Sequence, residues 1–508
     1  MISKDLIKKA SKTSLLFAMA CSMFLSCKKE DVPVNEPKPD VIFYGLKENN
    51  RIVRYNTKNT GTAEATLFIT GIATGENLLS IDFRPATGQL YALSSNSMLY
   101  TIDMNSGVAT PLSTAPFSPA LNGSVASIDF NPTVDRIRLV TNVGQNLRLN
   151  PETGAVVSTD GNINGGTSPA IASIAYSNSF SGTTGTELFD IDMTSRKLYK
   201  QTSPNEGVLS LVGTINVDFT GRVGFDINND NTAFYAMFNV AGISKLYKIN
   251  FATAANTFIG DFAESLIDIA IPTPPVAYAI SETGKLQIFN PGMSNSVIEK
   301  TITGIGAGEN LMGIDFRPAK NQLYGITMDA SGMSKLYTLN LGSGAATAVG
   351  SDFMVDPMAT AYGFDFNPTV DRIRLVTNTG KNFRLNPNDG TIAATDGILN
   401  PGTPAITGAA YTNNYAGTTT TSLFVMDKSK LYRQDPPNAG TLTEIGNLGI
   451  VAAEQNGFDI GGKSNTAYSL VTLGGATILY TINTTNGTAT AGINYPNKVK
   501  GLAIGLGF

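Results

Sequence analysis

The residues best suited to chemistry in this 508-residue chain are arginines and aspartates set in a fixed pattern. The stretch DFNPTVDRIRLVTN occurs unchanged at 129–142 and again at 365–378. It carries Asp129, Asp135, Arg136 and Arg138 in the first copy and Asp365, Asp371, Arg372 and Arg374 in the second, with Arg148 and Arg384 following in NLRLN and NFRLN. A guanidinium is a planar fork of N–H donors that fits a carboxylate, sulfate or phosphate, so these arginines could form an anion-binding patch. They could instead form an Arg–Asp cluster that fixes one packed layer against the next, because a buried charge left unpaired is costly. The aspartates of the stretch are at hand as partners on that second reading.

Another acid recurs as the third residue of a short apolar run: Asp82, Asp129, Asp226, Asp268, Asp315, Asp365 and Asp459. A residue repeated in most units solves a repeated structural problem, such as bonding turn amides; the rival reading is a ring of carboxylates around a cation. DINNDN places Asp226, Asn228 and Asp230 at alternate positions, like the start of a calcium loop, but lacks the later Gly and Glu and becomes DIGGKS in the second half. No metal ligands and no cofactor are assigned.

The composition removes most nucleophilic chemistry. There is no His and no Trp, and the two cysteines, Cys21 and Cys27, lie near the N-terminus. Histidine-based triads, histidine zinc sites and histidine-ligated haem are therefore excluded. No catalytic residue is assigned. The enzyme alternative is a glycoside hydrolase or lyase working with paired carboxylates, which must converge at about 5 to 9.5 Å. Glu76 and Glu309, in paired GENL motifs, are the candidate acids, but they precede the first strand of their units and should project from the face opposite Asp135.

The N-terminus reads as an address. Lys4, Lys8, Lys9 and Lys12 precede a mostly apolar run from Ser14 to Ser26, as in a secretory signal over residues 1–26. Phe-Leu-Ser-Cys resembles a bacterial lipobox, which makes Cys27 the expected lipidation site, with Cys21 as the weaker candidate. Residues 27–40, charged and proline-rich, read as a disordered tether reaching up to about 40 Å. Lys29-Glu30-Asp31 resembles the surface-export signal of Bacteroidota lipoproteins, so the expected location is the outer membrane, facing either the periplasm or the cell surface. Removing residues 1–26 takes away four lysines and one aspartate, so 32 basic residues face 39 acidic ones, a net charge of −7. That balance argues against nucleic acid as a partner.

The elements that must position these residues repeat. Apolar runs begin at Ser80, Ser127, Ser173, Gly224 and Leu266, and at Gly313, Gly363, Gly408, Gly457 and Gly501, with a period that suits a four-stranded propeller blade. After each such strand A come three further strands; in the unit from Ser80 these are QLYALS, MLYTIDMNSG and VATPLS, bounded by turn formers. Arg136 and Arg138 then fall on one face of strand B, with Ile137 and Leu139 on the other. Residues 41–74 supply strands B, C and D without an A strand, whereas LIDIAI at 266–271 is an A strand followed by Pro272-Thr273-Pro274-Pro275. The second half repeats this and ends on GLAIGL. The expected fold is all-β: two tandem five-bladed β-propellers, over 41–271 and 276–508, joined by the 272–275 linker and each closed by its final A strand. The alternative is one ten-bladed ring.

The paired GENL, IDFRPA and FNPTVDRIRLVTN motifs make each half resemble the bacterial domain-of-unknown-function family 4394, from Val41 to Phe508. The resemblance names the duplication and implies no substrate or catalytic residue. The function read from the sequence is a lipid-anchored, non-enzymatic binding or scaffold module, with a glycan, peptide or protein as its partner.

Overall fold

The computed structural model describes residues 38–293, 296–402, 404–452 and 456–508. The expected signal segment, Cys27 and most of the expected tether lie outside the described residues. Residues from Asp40 to Phe508 form one compact unit.

Forty strands and a single 3-10 turn, Pro437–Ala439, make up the regular structure of the described residues. The strands pair into ten four-stranded antiparallel sheets, propeller-like blades of which five come from each half of the chain. Eight sheets are built from consecutive strands. The other two are completed from far along the chain: Asp268–Ala270 pairs with Ile42–Lys47, and Val499–Ile504 pairs with Ala277–Ser281. Residues 271–276, including the prolines, carry no regular structure.

The hairpins follow from their turn residues. In LYTIDMNSG the Asp103 carboxylate accepts the Asn105 N–H, and Gly107 takes a φ of 78° to return its own N–H to the Asp103 carbonyl. Asn340 with Gly344 and Asn483 with Gly487 repeat the device. A side-chain acceptor that mimics a backbone turn, followed by a residue free to adopt positive φ, is what a short hairpin needs.

The apolar residues are buried between neighbouring sheets. Tyr91 and Leu93 of one sheet pack with Ile128, Phe130, Leu139 and Leu147 of the next. Ile267 and Ala270, from the end of the first half, pack with Leu46, Ile81 and Phe83 from its start. Leu470 and Leu479 pack with Ala277, Ala279 and Leu502 in the same way at the end of the second half. The innermost strand of each sheet thus lies beside the innermost strands of neighbouring sheets.

The two halves space these inner strands differently. In the first, the Ser80 and Ser127 hydroxyls accept the Ile128 and Ile174 N–H groups of the adjoining inner strands. In the second, glycines stand at the matching places. A Cβ on Gly363 would lie 2.6 Å from the Cβ of Ala409, and one on Gly408 would lie 2.6 Å from that of Phe458. Contacts this short leave no room for a methyl group. Gly363→Ala should therefore destabilise the chain by about 1–3 kcal/mol, the usual cost of overpacking. Urea unfolding would check this, and an unchanged midpoint would refute the close approach.

The halves also touch one another directly. The Tyr278 hydroxyl donates to the Ala86 carbonyl at 2.8 Å, Gln322 donates to Glu152 at 2.7 Å, and Lys463 pairs with Asp103 at 2.7 Å.

Candidate functional site

The two copies of DFNPTVDRIRLVTN fold alike: inner strands Ala126–Asn131 and Tyr362–Asn367, a turn, then strands Arg136–Thr141 and Arg372–Thr377. Asp135 and Asp371 close the turns at a φ of 50°. The pairing expected inside the stretch is not what forms. Asp135 accepts a two-pronged bond from Arg84, and Asp371 accepts the same from Arg317. Arg138 and Arg148 face each other across adjacent strands, as do Arg374 and Arg384. Like charges placed directly opposite repel, and each pair is bridged by one carboxylate that the motif does not contain. Asp160 bonds Arg138 at 2.6 Å and Arg148 at 2.8 Å, and Asp396 bonds Arg374 at 2.7 Å and Arg384 at 2.8 Å. The arginines beside Asp160 and Asp396 hold both carboxyls below the usual carboxylate range, against the opposing effect of burial. Asn146 and Asn205, or Asn382 and Asn438, accept further N–H groups of Arg138 and Arg374. The signals for these partners were in the sequence: Thr-Asp-Gly recurs at 159–161 and 395–397, and Arg84 and Arg317 sit in the paired IDFRPA.

Asp129 and Asp365 belong to a different set. Their carboxylates turn to the middle of each half and accept the Tyr176 and Tyr411 N–H groups of the neighbouring inner strands. Asp82 accepts from Phe130, Asp226 from Ile271, Asp315 from Phe366 and Asp459 from Ile504 in the same manner. Asp268 is out of register with these. Tyr44 lies opposite Ala270 just as Tyr91 lies opposite Asp82, so Ala270 holds the aspartate position. Asp268 instead takes the place of Ser80, whose hydroxyl and neighbouring Ile81 N–H it accepts. The tetrapeptide LIDI matched the repeat by composition while the strand pairing shifts it by two residues.

One oxygen from each of Asp82, Asp129 and Asp226 lies within 4.8 Å of the others, and Asp315, Asp365 and Asp459 form the same arrangement. Burial pushes all six carboxyls up, Asp226 and Asp459 to about 7, and mutual repulsion adds to this for Asp82, Asp129, Asp315 and Asp365. Their proton affinity is therefore raised while their oxygens serve backbone amides. In the second half a recess bordered by Gly313, Gly363, Gly408 and Gly501 amounts to about 10 Å³. That is at the lower limit for one water molecule. Asn228 and Asp230 are occupied within their own turn, bonding Ala233 and Thr232, so DINNDN does not gather into one ligand set.

Glu76 accepts hydrogen bonds from Ser94, Tyr100 and the Ala73 N–H, and Glu309 from Thr327 and Tyr337. Both pin the loop that leads into an inner strand. One buried acid has no such task. Neither oxygen of Asp190 has a hydrogen-bond partner among the described residues, and burial pushes its carboxyl up to about 8 despite the attraction of Arg138. Pairing places Asp190 opposite Ile174, where the second half has Val425 opposite Ala409.

The surroundings of the two copies differ most. In the first, Arg84 is fully buried and also donates to the Asn321 carbonyl of the other half at 3.0 Å. The Val134 carbonyl there would lie 2.5 Å from a Cβ on Gly342. In the second, Arg317 turns to Asn388 of its own half, and the stretch borders an open cavity of about 460 Å³ lined by Arg372, Arg374, Arg384, Tyr411 and Asn438. The Arg372 guanidinium has no carboxylate within salt-bridge distance among the described residues and donates only to the Asp371 carbonyl.

Fold and site together define a duplicated all-β protein of propeller-like four-stranded blades, with arginines lining an open cavity of its second half. The chain belongs to the family described as Domain of unknown function (DUF4394), whose model matches residues 51–270 and 285–503. No curated protein matches the sequence. Among solved structures, a proposed 6-phosphogluconolactonase from Bacteroides uniformis is 13% identical, with 61% of this chain and 91% of that chain covered and a TM-score of 0.27. One from Bacteroides fragilis is 12% identical, with 64% and 94% covered and a TM-score of 0.28. The extracellular domain of a proposed one-component system from B. thetaiotaomicron is 11% identical, with 91% and 78% covered and a TM-score of 0.24.

The raised carboxyls fix the sign of a pH effect. Asp190 holds its proton up to about pH 8 in the folded chain but would lose it near its ordinary value of 3.8 when unfolded. The folded state therefore binds more protons than the unfolded state between those limits, and stability should fall as pH rises through that window. Asp190→Val, which installs the residue of the second half, should raise the melting temperature more at pH 8 than at pH 5. Equal gains at both pH values would refute a protonated Asp190.

Proposed function

We propose that the protein is a lipid-anchored, non-catalytic binding module built of two closed five-bladed β-propellers, with its ligand taken up at the arginine-lined cavity of the second half. Closure in fives is supported by the pairing of Asp268–Ala270 with Ile42–Lys47 and of Val499–Ile504 with Ala277–Ser281, each within its own half. A ten-bladed ring would need those strands to complete sheets of the other half.

The observation that carries the binding reading is the contrast of spaces in the second half. The recess beside Gly363 and Gly408 has room for about one water, while the cavity beside Arg372 offers about 460 Å³, within the range of small-molecule sites. A hydrolase acting across the middle would need carboxylates that converge on a substrate, and the acids found there face one another and the backbone. Glu76 and Glu309 are likewise engaged within their own sheets.

The test is a melting-temperature screen of the soluble chain from Asp40 onward against oligosaccharides, peptides and inorganic anions. A ligand at about 100 times its dissociation constant adds about 2.7 kcal/mol if it binds only the folded state. Val370, exposed at the rim of the cavity, gives the control: Val370→Trp should abolish the shift without lowering the melting temperature of the free chain. Shifts that survive this change would place the ligand elsewhere. The anchor rests on Ser26-Cys27 and the charged stretch after it. Cys27→Ser should move the protein from the membrane fraction to the soluble fraction and remove incorporation of a labelled fatty acid; a variant that stays lipidated would point to Cys21.

A further inference from the structure

We infer that the cavity of the second half is an oxyanion site that takes a sugar ring bearing a carboxylate or a sulfate. The inference rests on the binding reading above and names the ligand class for the same cavity.

The three arginines are spent to different degrees. A guanidinium carries five N–H donors. Arg374 commits four of them, to Tyr411, Asn382, Asp396 and Asn438, and its side chain is only 2% exposed. Arg384 commits two, both to Asp396. Arg372 commits one, to the Asp371 carbonyl. Arg374 and Asp396 thus build the floor, and the donors left over belong mainly to Arg372 and Arg384. The wall opposes three guanidiniums with one carboxylate, Asp396; Asp371 is held by Arg317, and Asp389 senses the charge of Arg372 without contacting it.

Acceptors are scarce at the same surface. The Asn438 side-chain oxygen is engaged by Arg374, and that of Asn367 is engaged by Thr369. A cavity with unspent forked donors and few free acceptors selects a ligand rich in acceptors, and the fork matches two oxygens of one planar or tetrahedral anion. The chain without residues 1–26 has a net charge of −7, so the protein as a whole does not attract anions and a local patch must do so.

The volume argues for a ring. A single acidic side chain of a peptide would leave most of about 460 Å³ unfilled, whereas a sugar ring with its charged substituent presents hydroxyls to the arginines and C–H faces to Val370, Pro436 and Pro437. The first copy of the stretch is the internal control. Its Arg136, Arg138 and Arg148 repeat the same bonds, yet its turn lies against the other half.

The experiment is calorimetric titration of the soluble chain from Asp40 with glucuronate, glucose 6-sulfate, glucose and a short polyglutamate peptide. Glucuronate or the sulfate ester should bind saturably and glucose should not; whichever acid binds more tightly identifies the source of the anion. Arg372→Gln should weaken that binding at least tenfold, Arg372→Lys should recover it in part, and Arg136→Gln should leave it unchanged. Val370→Glu, at an exposed position, supplies a second variant if Arg372→Gln fails to fold: a carboxylate at the rim should repel the ligand. Equal binding of glucose, equal losses in Arg136→Gln and Arg372→Gln, or tighter binding of polyglutamate would each overturn the inference. If no acid probe binds while the screen still finds a ligand that Val370→Trp displaces, the oxyanion class fails and the binding module stands. If neither assay finds a ligand, both fail.

Discussion

The structure depends on how the innermost strand of each sheet satisfies the backbone groups on its free edge. An edge strand exposes a row of N–H and C=O groups, and here the inner strands Leu78–Phe83, Ala126–Asn131 and Tyr362–Asn367 are buried almost throughout. Unpaired buried amides are costly, so side chains must reach across from the next sheet. Asp82, Asp129 and Asp226 do this in the first half, and Asp315, Asp365 and Asp459 do it in the second. The solution brings three carboxyl groups together in each half, and raised proton affinity is its consequence.

The repeated stretch bears two loads through separate residues. Its aspartates tie neighbouring sheets together, Asp129 and Asp365 through amides and Asp135 and Asp371 through Arg84 and Arg317. Its buried arginines, Arg138 and Arg374, are neutralised by an acid from the outermost part of the same sheet. Only Arg136 and Arg372 are left without a carboxylate partner at bonding distance, and only the second of these borders the open cavity. Identity of sequence between the copies therefore reflects a shared framework, while the difference between them comes from what each framework is pressed against.

The strands, their grouping in fours and the late completion of the first sheet in each half were legible because they rest on local patterns: alternation, turn chemistry and a missing first strand. The hairpin glycines at 107, 344 and 487 behave as their neighbours imply. Register was less legible. LIDI looks like SIDF, but only the pairing of Tyr44 with Ala270 reveals the two-residue offset of Asp268. The partners of the arginines were also hidden, because Asp160 and Asp396 lie 22 residues after Arg138 and Arg374 and are brought close by the fourth strand of the sheet. The cavity could not be read at all. It arises because the second copy faces outward where the first faces the junction, a fact of how the halves meet.

The first strand of the described residues, Ile42–Lys47, is flanked on both sides, by Arg51–Asn56 and by Asp268–Ala270. A pull on the chain from its N-terminal side must break two ladders together, and it loads them along the strand direction, so the bonds share the force instead of opening one by one. The chain is thereby fastened against mechanical extraction by a segment more than two hundred residues away in sequence.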